Sequence, residues 1–430
     1  MAAAAVMRPL HALLAVACCI AGAPAVADED AGAEVYTKSS DSLDTCPPDG
    51  AYHSGEKGAW YLTVENDTLA HTDEAYTNGI RLGYDFAAGD APAFLRAQAG
   101  WLCRQLRYLD FGHGKRSGWS AGFYGGQHLF TPGDINDPEP ILDDRPYAAW
   151  LYLGERFSLH TAVNDRHTNY HDFNLQLGTV GPRAQGEWVQ AHFHDLIGGD
   201  IPQGWDKNQL ADEWEVFGSY RFTHRATIIK SKEKFLELDG MLGYEVGLGT
   251  LQVYAEPSAT IRVGRGLRDP PYGNLGPRWP LIAAGTQAAA NLGAAAKADD
   301  EDLPIRDCSY WRWLPLDECF LYLRLSGRYT AHNVFLDGTN WHDSRSIARE
   351  DFYGDWAVGA RFRGSLLELD LEYVDRGREL AHLPADADNK DGRHRYGSVN
   401  LRCRDGANWA CPLFFSILLG LVAAQDGKAD

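Results

Sequence analysis

The chain has 430 residues, 45% of them hydrophobic and 23% charged, and its acidic excess leaves a formal net charge of -19. That charge excludes a general affinity for nucleic acid, and any anionic ligand would have to be held through metal ions or local arginines. The length admits two ordinary domains or one large barrel.

Residues 1–27 carry one arginine, Arg8, then an apolar run through Leu13, Leu14, Val16 and Ile20, and close on Ala25-Val26-Ala27. This is the pattern of a secretory signal peptide, so residues 28–58 are expected to form a periplasmic N-terminal segment. Of 8 cysteines, Cys18 and Cys19 lie in the leader. Cys46, Cys103, Cys308, Cys319, Cys403 and Cys411 remain, an even set of the kind that forms disulfides in an oxidising compartment.

From residue 59 onward the chain reads as long alternating runs, at roughly 59–67, 77–86, 117–130, 146–160, 167–181, 213–231, 234–246, 248–263, 318–332, 352–364, 366–377 and 394–403. In "LQVYAEPSATIRV" Leu251, Val253, Ala255, Ala259, Ile261 and Val263 share one face, and Gln252, Glu256, Ser258, Thr260 and Arg262 the other. Leu321, Leu323 and Leu325 oppose Tyr322, Arg324 and Arg328, and Leu369 and Leu371 oppose Glu368, Asp370 and Glu372. A soluble sandwich would bury such leucines and put the charges in water. Runs of about ten residues or more exceed the usual globular strand, however, and match a tilted membrane strand. Their even number after a signal peptide predicts an all-β, antiparallel transmembrane barrel of about 12 strands over 59–403, apolar outside and polar inside.

With the N-terminus in the periplasm, odd strands run outward, and all six cysteines fall on the periplasmic side. Nearest-neighbour pairs, Cys308 with Cys319 and Cys403 with Cys411, are the preferred disulfides. Two insertions fall on that side as well. Residues 87–116, with "APAFLRAQAGWLCRQLRYLDF", predict a short helix that plugs or caps the barrel mouth, and the Ala/Gly-rich residues 264–317 read as a linker. Residues 404–430 form an extra tail whose apolar "PLFFSILLGLVAA" is about thirteen residues long, where about twenty would be needed to span as a helix.

The outer side collects polar groups from distant parts of the chain. Asn66 and Asp67 end the first run, and Thr77 and Asn78 open the second. The third run leads into "QHLFTPGDINDPEPILDDRPYAAW", and the fifth into the long loop 183–213, where Glu187, Gln190, His194 and Ile197 recur at helical spacing. Taken singly, His194 and the neighbouring His192 are as well explained as solvated helix residues.

The combination "ENDT…YTNG", "TPGDI…DDRPYAAWLYLG", "LGTVGPRAQGEWVQAHFHDLIG", "GWDKNQL" and "FLDG" resembles the lipid A 3'-O-deacylase family of outer-membrane barrels over roughly residues 59–403. The resemblance implies a calcium-dependent esterase at the cell-exterior end of the barrel, acting on lipid A of lipopolysaccharide among outer-membrane lipids. It places the family's Asn-Asp pair on Asn66 and Asp67, its hydroxyl residue on Thr77 and its catalytic histidine on His194, through the spacing from Gln190. Asp200 stands where a glutamate is expected. Asn66, Asp67, Thr77 and Asp200 supply oxygens of the kind calcium prefers, although Asp67 could instead orient the imidazole. The loop after the third run is acidic, with Asp134, Asp137, Glu139, Asp143 and Asp144, so Arg145 is the nearest candidate for gripping a substrate phosphate.

No serine lies between 182 and 212, beside the histidine, which makes water the expected nucleophile and His194 its base. Two other readings remain. An outer-membrane phospholipase would place a serine two residues after its histidine, where this chain has Leu196, and a porin or adhesion barrel would not gather Asn, Asp, Thr and His at one rim. A monomer without a nucleic-acid partner is expected.

Overall fold

The protein is described from a computed structural model, which covers residues 58–67, 75–86, 91–106, 116–164, 166–197, 200–230, 236–267, 316–364, 367–383, 392–404 and Phe415. The expected leader, most of the 264–317 linker, Cys46, Cys308, Cys411 and nearly all of the tail lie outside them. With Cys308 and Cys411 fall the two preferred disulfides.

The strands are β1 (Ala59–Asn66), β2 (Ala75–Phe86), β3 (Arg116–Thr131), β4 (Ala148–Ala162), β5 (His167–Val180), β6 (Glu213–Lys230), β7 (Glu237–Gly249), β8 (Gln252–Arg265), β9 (Leu316–Asn333), β10 (Phe352–Gly364), β11 (Leu367–Arg376) and β12 (His394–Arg404). Each pairs antiparallel with its sequence neighbours, and β1 pairs with β12, from Ala59 opposite Arg404 to Asn66 opposite Gly397. A ring closed in this way leaves no strand edge unpaired, as a hydrocarbon surrounding demands. The near end of the barrel is the one at which β1 begins, and the far end the one at which it finishes.

Alternation sorts the side chains as a period of two requires. Leu153 on β4, Leu242 on β7 and Leu321, Leu323 and Leu325 on β9 are exposed on the outer wall, while Arg262, Arg324, Glu368, Asp370 and Glu372 are buried inside. The interior charges neutralise one another. Asp239 accepts from Arg225 Nε at 2.7 Å and from Arg262 Nε at 2.8 Å, Arg324 bonds Glu372 at 3.0 Å, and Arg328 pairs with Glu256. Nearer the far end the lumen holds an aromatic plug in which Trp150, Tyr152, Phe217, Tyr254 and Tyr396 pack with a short helix, Val334–Asp337. Leu251, read as outward-facing, packs here instead: it lies one residue before β8, outside the alternation.

The helix expected in the first insertion forms as α1 (Ala93–Leu106), but its place is not the mouth of the barrel. Leu95, Ala99 and Leu106 pack on Trp119, Ala121, Phe157 and Leu159, all outward-facing residues of β3 and β4, so the helix lies on the outer wall at the near end. Its apolar stripe matches an apolar wall, whereas the lumen offers mainly paired charges. Cys103 on α1, Cys319 on β9 and Cys403 on β12 are all at this same end.

Candidate functional site

One row of residues crosses four strands at the far end. Asn66 on β1 opposes Asn78 on β2, Asn78 opposes Leu129 on β3, and Leu129 opposes Ala149 on β4. Tyr61 packs in the lumen and Thr63 bonds Asn400 there, so strict alternation turns Asn66 to the outer wall, on the face that carries Leu62 and Val64. Three strand spacings put the Ala149 backbone about 14 Å from that of Asn66. Asn66 and the following Asp67 are both almost wholly buried. The β2–β3 register slips between Tyr76 and Asn78, which makes Thr77 the extra residue of a bulge beside this row.

The long loop returns to the same wall. After a 3-10 turn at Pro182–Ala184, α2 (Gly186–Ile197) starts directly over Ala149. A side chain at Gly186 would meet the Trp205 ring and the Ala149 Cβ at under 3 Å, so only glycine permits this approach. Trp205 is buried against Tyr147, ring centroids 4.8 Å apart, and packs with Leu129, Ala149, Ala184 and Val189. Gln127 donates to the Ala184 carbonyl at 2.6 Å. The chain after the helix runs back beside Tyr147, which exchanges backbone bonds with Asn208 and Leu210. Arg345, from the β9–β10 connection, bonds the Asn208 side chain and donates to the Asp144 carbonyl at 2.7 Å. Burial lowers the Arg345 pKa, and the Asp144 and Asp143 charges offset this only in part. The sequence does not mark Trp205, Gly186 and Arg345 as supports of the site. "GWDKNQL" was the available signal for Trp205, whereas nothing local marks Arg345.

This docking separates the two histidines. Gln190 is buried and accepts from Trp205 Nε1 at 2.7 Å, and His194 follows one turn later on the same face. His194 Nδ1 lies 2.5 Å from the backbone carbonyl of Asp200. A carbonyl can only accept, so Nδ1 carries the proton and the neutral ring keeps its lone pair on Nε2. His192 is exposed, packs at a tilt on Trp188 and is bonded to the Trp188 carbonyl within its own helix. Eight residues of helix separate His194 from Gly186, about 12 Å at 1.5 Å per residue.

The remaining candidates divide. Asp200 contributes its carbonyl to the histidine, while the residue itself is exposed. Arg145 is not a surface phosphate grip. It is fully buried, 3.4 Å from Glu379 and 3.5 Å from His394 Nε2, and ties the β3–β4 loop to the β11–β12 loop. Burial pushes the Glu379 carboxyl up, and the charges of His394, Arg376, Arg145 and Arg328 more than reverse this, holding it ionised. The acidic loop residues make turns: Asp134 and Asp137 accept from backbone amides two residues on, and Asp144 from Gly133 and Arg145. The "FLDG" segment belongs to the lumen plug, where Phe335 meets Phe130 at 4.6 Å and Gly338 takes φ 84°. Among the described residues no group of three His, Cys, Asp or Glu side chains is placed to hold a metal ion.

Residues 14–404 match the profile of the family described as "Outer membrane protein LpxR". Among solved structures the fold is similar to that of LpxR from Salmonella typhimurium, with 16% sequence identity, a TM-score of 0.54, and 80% of this chain and 99% of that one covered. The beta domain of the Bordetella autotransporter BrkA aligns at 10% identity and a TM-score of 0.34, over 80% of this chain and 98% of its own. The comparison with curated proteins returns no match.

Proposed function

The chain belongs to the LpxR family of outer membrane proteins, and from that premise we propose that it is a lipid A deacylase that hydrolyses the 3'-linked acyloxyacyl ester with a water activated by His194 and a calcium ion. The observation that carries this reading is the His194 ring, half-buried and held through Nδ1 by the Asp200 carbonyl, on the Gln190 face of a helix docked to the outer wall. An imidazole fixed in that tautomer has Nε2 available as a general base, the role that ester hydrolysis by water requires. A site on the outer wall also suits a substrate that stays in the membrane while its headgroup lies at the interface.

The donors at the far end suit calcium. Asn66 and Asp67 are adjacent, buried and offer only oxygen ligands, and with Thr77 and Asp200 they would hold the ion. Bound there, calcium would polarise the ester carbonyl and stabilise the developing oxyanion. His194 takes a proton from the attacking water as the new C–O bond forms. It returns that proton to the sugar oxygen as the ester C–O bond breaks, giving a 3' hydroxyl and an acyloxyacyl carboxylic acid, which then loses its proton to solvent. The site faces the cell exterior, and the protein acts as a monomer with lipid A as its substrate.

Purified protein incubated with lipid A is expected to release the 3' acyloxyacyl group, read by mass spectrometry as loss of both chains from one position. Chelation should abolish the release and added calcium restore it. Full activity in chelator would remove the metal from the mechanism, and release of fatty acid from glycerophospholipid instead would make the protein a phospholipase.

A further inference from the structure

The outer wall directly beneath Asn66 is covered, unlike the stretches of the belt that carry Leu153, Leu242 and Leu321. Leu153, Leu242 and Leu321 are 74%, 67% and 58% exposed, as side chains facing lipid should be, whereas Leu62 and Val64 are 3% and 2% exposed. Phe415, from the apolar C-terminal segment, packs against Leu62 and Val64 together with Ile80. Val64 and Leu62 lie two and four residues below Asn66 on the same face, about 7 and 13 Å along the wall. An acyl chain whose ester sits beside Asn66 and runs into the membrane must pass over this strip.

On the reading of the protein as a lipid A deacylase, we propose that Val64, Leu62 and Ile80 form the subsite for the acyl chain that is cleaved, and that Phe415 occupies it as a built-in competitor. An aromatic ring laid on aliphatic side chains makes the contacts that a fatty acyl chain would make there, so the two cannot be seated together. Phe415 thereby sets the apparent affinity for substrate.

Occupancy is tested without catalysis in the full-length, membrane-embedded His194→Ala protein carrying Val64→Cys and Phe415→Cys. Oxidation should join these positions in a disulfide identified by peptide mass mapping, and lipid A should slow its formation severalfold. A disulfide that forms equally fast with lipid A present, or none at all, overturns the proposal. Turnover is tested with Phe415→Ala in the otherwise intact chain. Its KM for lipid A should fall about tenfold, the scale of one buried aromatic side chain, with kcat unchanged, and Phe415→Leu should fall between it and the parent. An unchanged KM alongside efficient cross-linking would mean that Phe415 only straps the barrel seam, and would sink the competitor. Absence of lipid A hydrolysis in every variant would reject the deacylase reading, while the cross-linking arm still decides whether lipid A and Phe415 share the strip.

Discussion

The lumen of this barrel and the far end of its outer wall both hold buried polar side chains, and they are built on opposite principles. Inside, Arg225 and Arg262 pair with Asp239, and Arg328 with Glu256. On the wall, Trp205 and Gln190 fix the helix that carries His194, and the Asp200 carbonyl fixes one ring nitrogen while leaving the other to react. A count of buried titratable groups would point to the lumen. What separates the two regions is what holds each group: the lumen charges are held by one another, whereas the His194 ring is held by a backbone carbonyl, and it is on the wall that the proposed chemistry is placed.

The largest effect that would sharpen this contrast is at His194. Replacement by alanine should lower deacylation by 10² to 10⁴-fold, roughly 3 to 5 kcal/mol of barrier, with the barrel still folded by circular dichroism and heat-modifiable mobility. His192→Ala should keep most of the activity, because that ring is turned to solvent and bonded within its own helix. Equal losses from the two would erase the distinction between the helix faces.

On the lumen side Asp239→Ala should have the opposite signature. It strands the buried guanidinium groups of Arg225 and Arg262, at a cost of about 3 to 5 kcal/mol in denaturant unfolding from lipid, with little change in turnover per folded molecule. Asp239→Asn should be milder. Loss of turnover without loss of stability would mean that the lumen network takes part in the reaction.

The outer belt lies between these extremes. Leu323→Arg sets a charge on the lipid-facing wall and should cost about 2 to 4 kcal/mol near the midplane, read as impaired membrane assembly. Arg324→Gln, one residue on and facing the lumen, removes the bonds to Glu372 and should leave assembly intact with reduced stability. The reverse ranking would invert the wall.

Much of the barrel was legible because alternation is a local signal: whether Leu321 or Tyr322 faces lipid is decided within three residues of chain. The α2 helix was legible for the same reason, from Glu187, Gln190, His194 and Ile197. Which surface each helix docks on was not, because that depends on side chains far apart in sequence. The sequence places α1 at the mouth of the barrel, whereas its Leu95 and Ala99 meet Trp119 and Phe157 on the outer wall. In the sequence Arg145 stands free for a phosphate, whereas in the fold Glu379, 234 residues later, binds it. Asp200 was singled out for its carboxylate, whereas its backbone carbonyl bonds His194, and a backbone atom leaves no trace in residue identity.

The smallest expected effect tests whether the wall holds His194 rigidly or merely nearby. Trp205→Phe preserves most of the buried ring against Tyr147 but deletes the indole N–H that bonds Gln190 Oε1. That leaves a buried amide oxygen short of a donor, a penalty of about 1 to 3 kcal/mol, which the helix can relieve only by shifting. If positioning of His194 matters, kcat should drop up to about tenfold with KM nearly constant, because the substitution touches none of the residues proposed to bind substrate. Gln190→Leu combined with Trp205→Phe should recover part of the loss, since it removes the stranded oxygen with its vanished partner. A fall in melting temperature with kcat unchanged would instead make the Trp205–Gln190 bond purely structural.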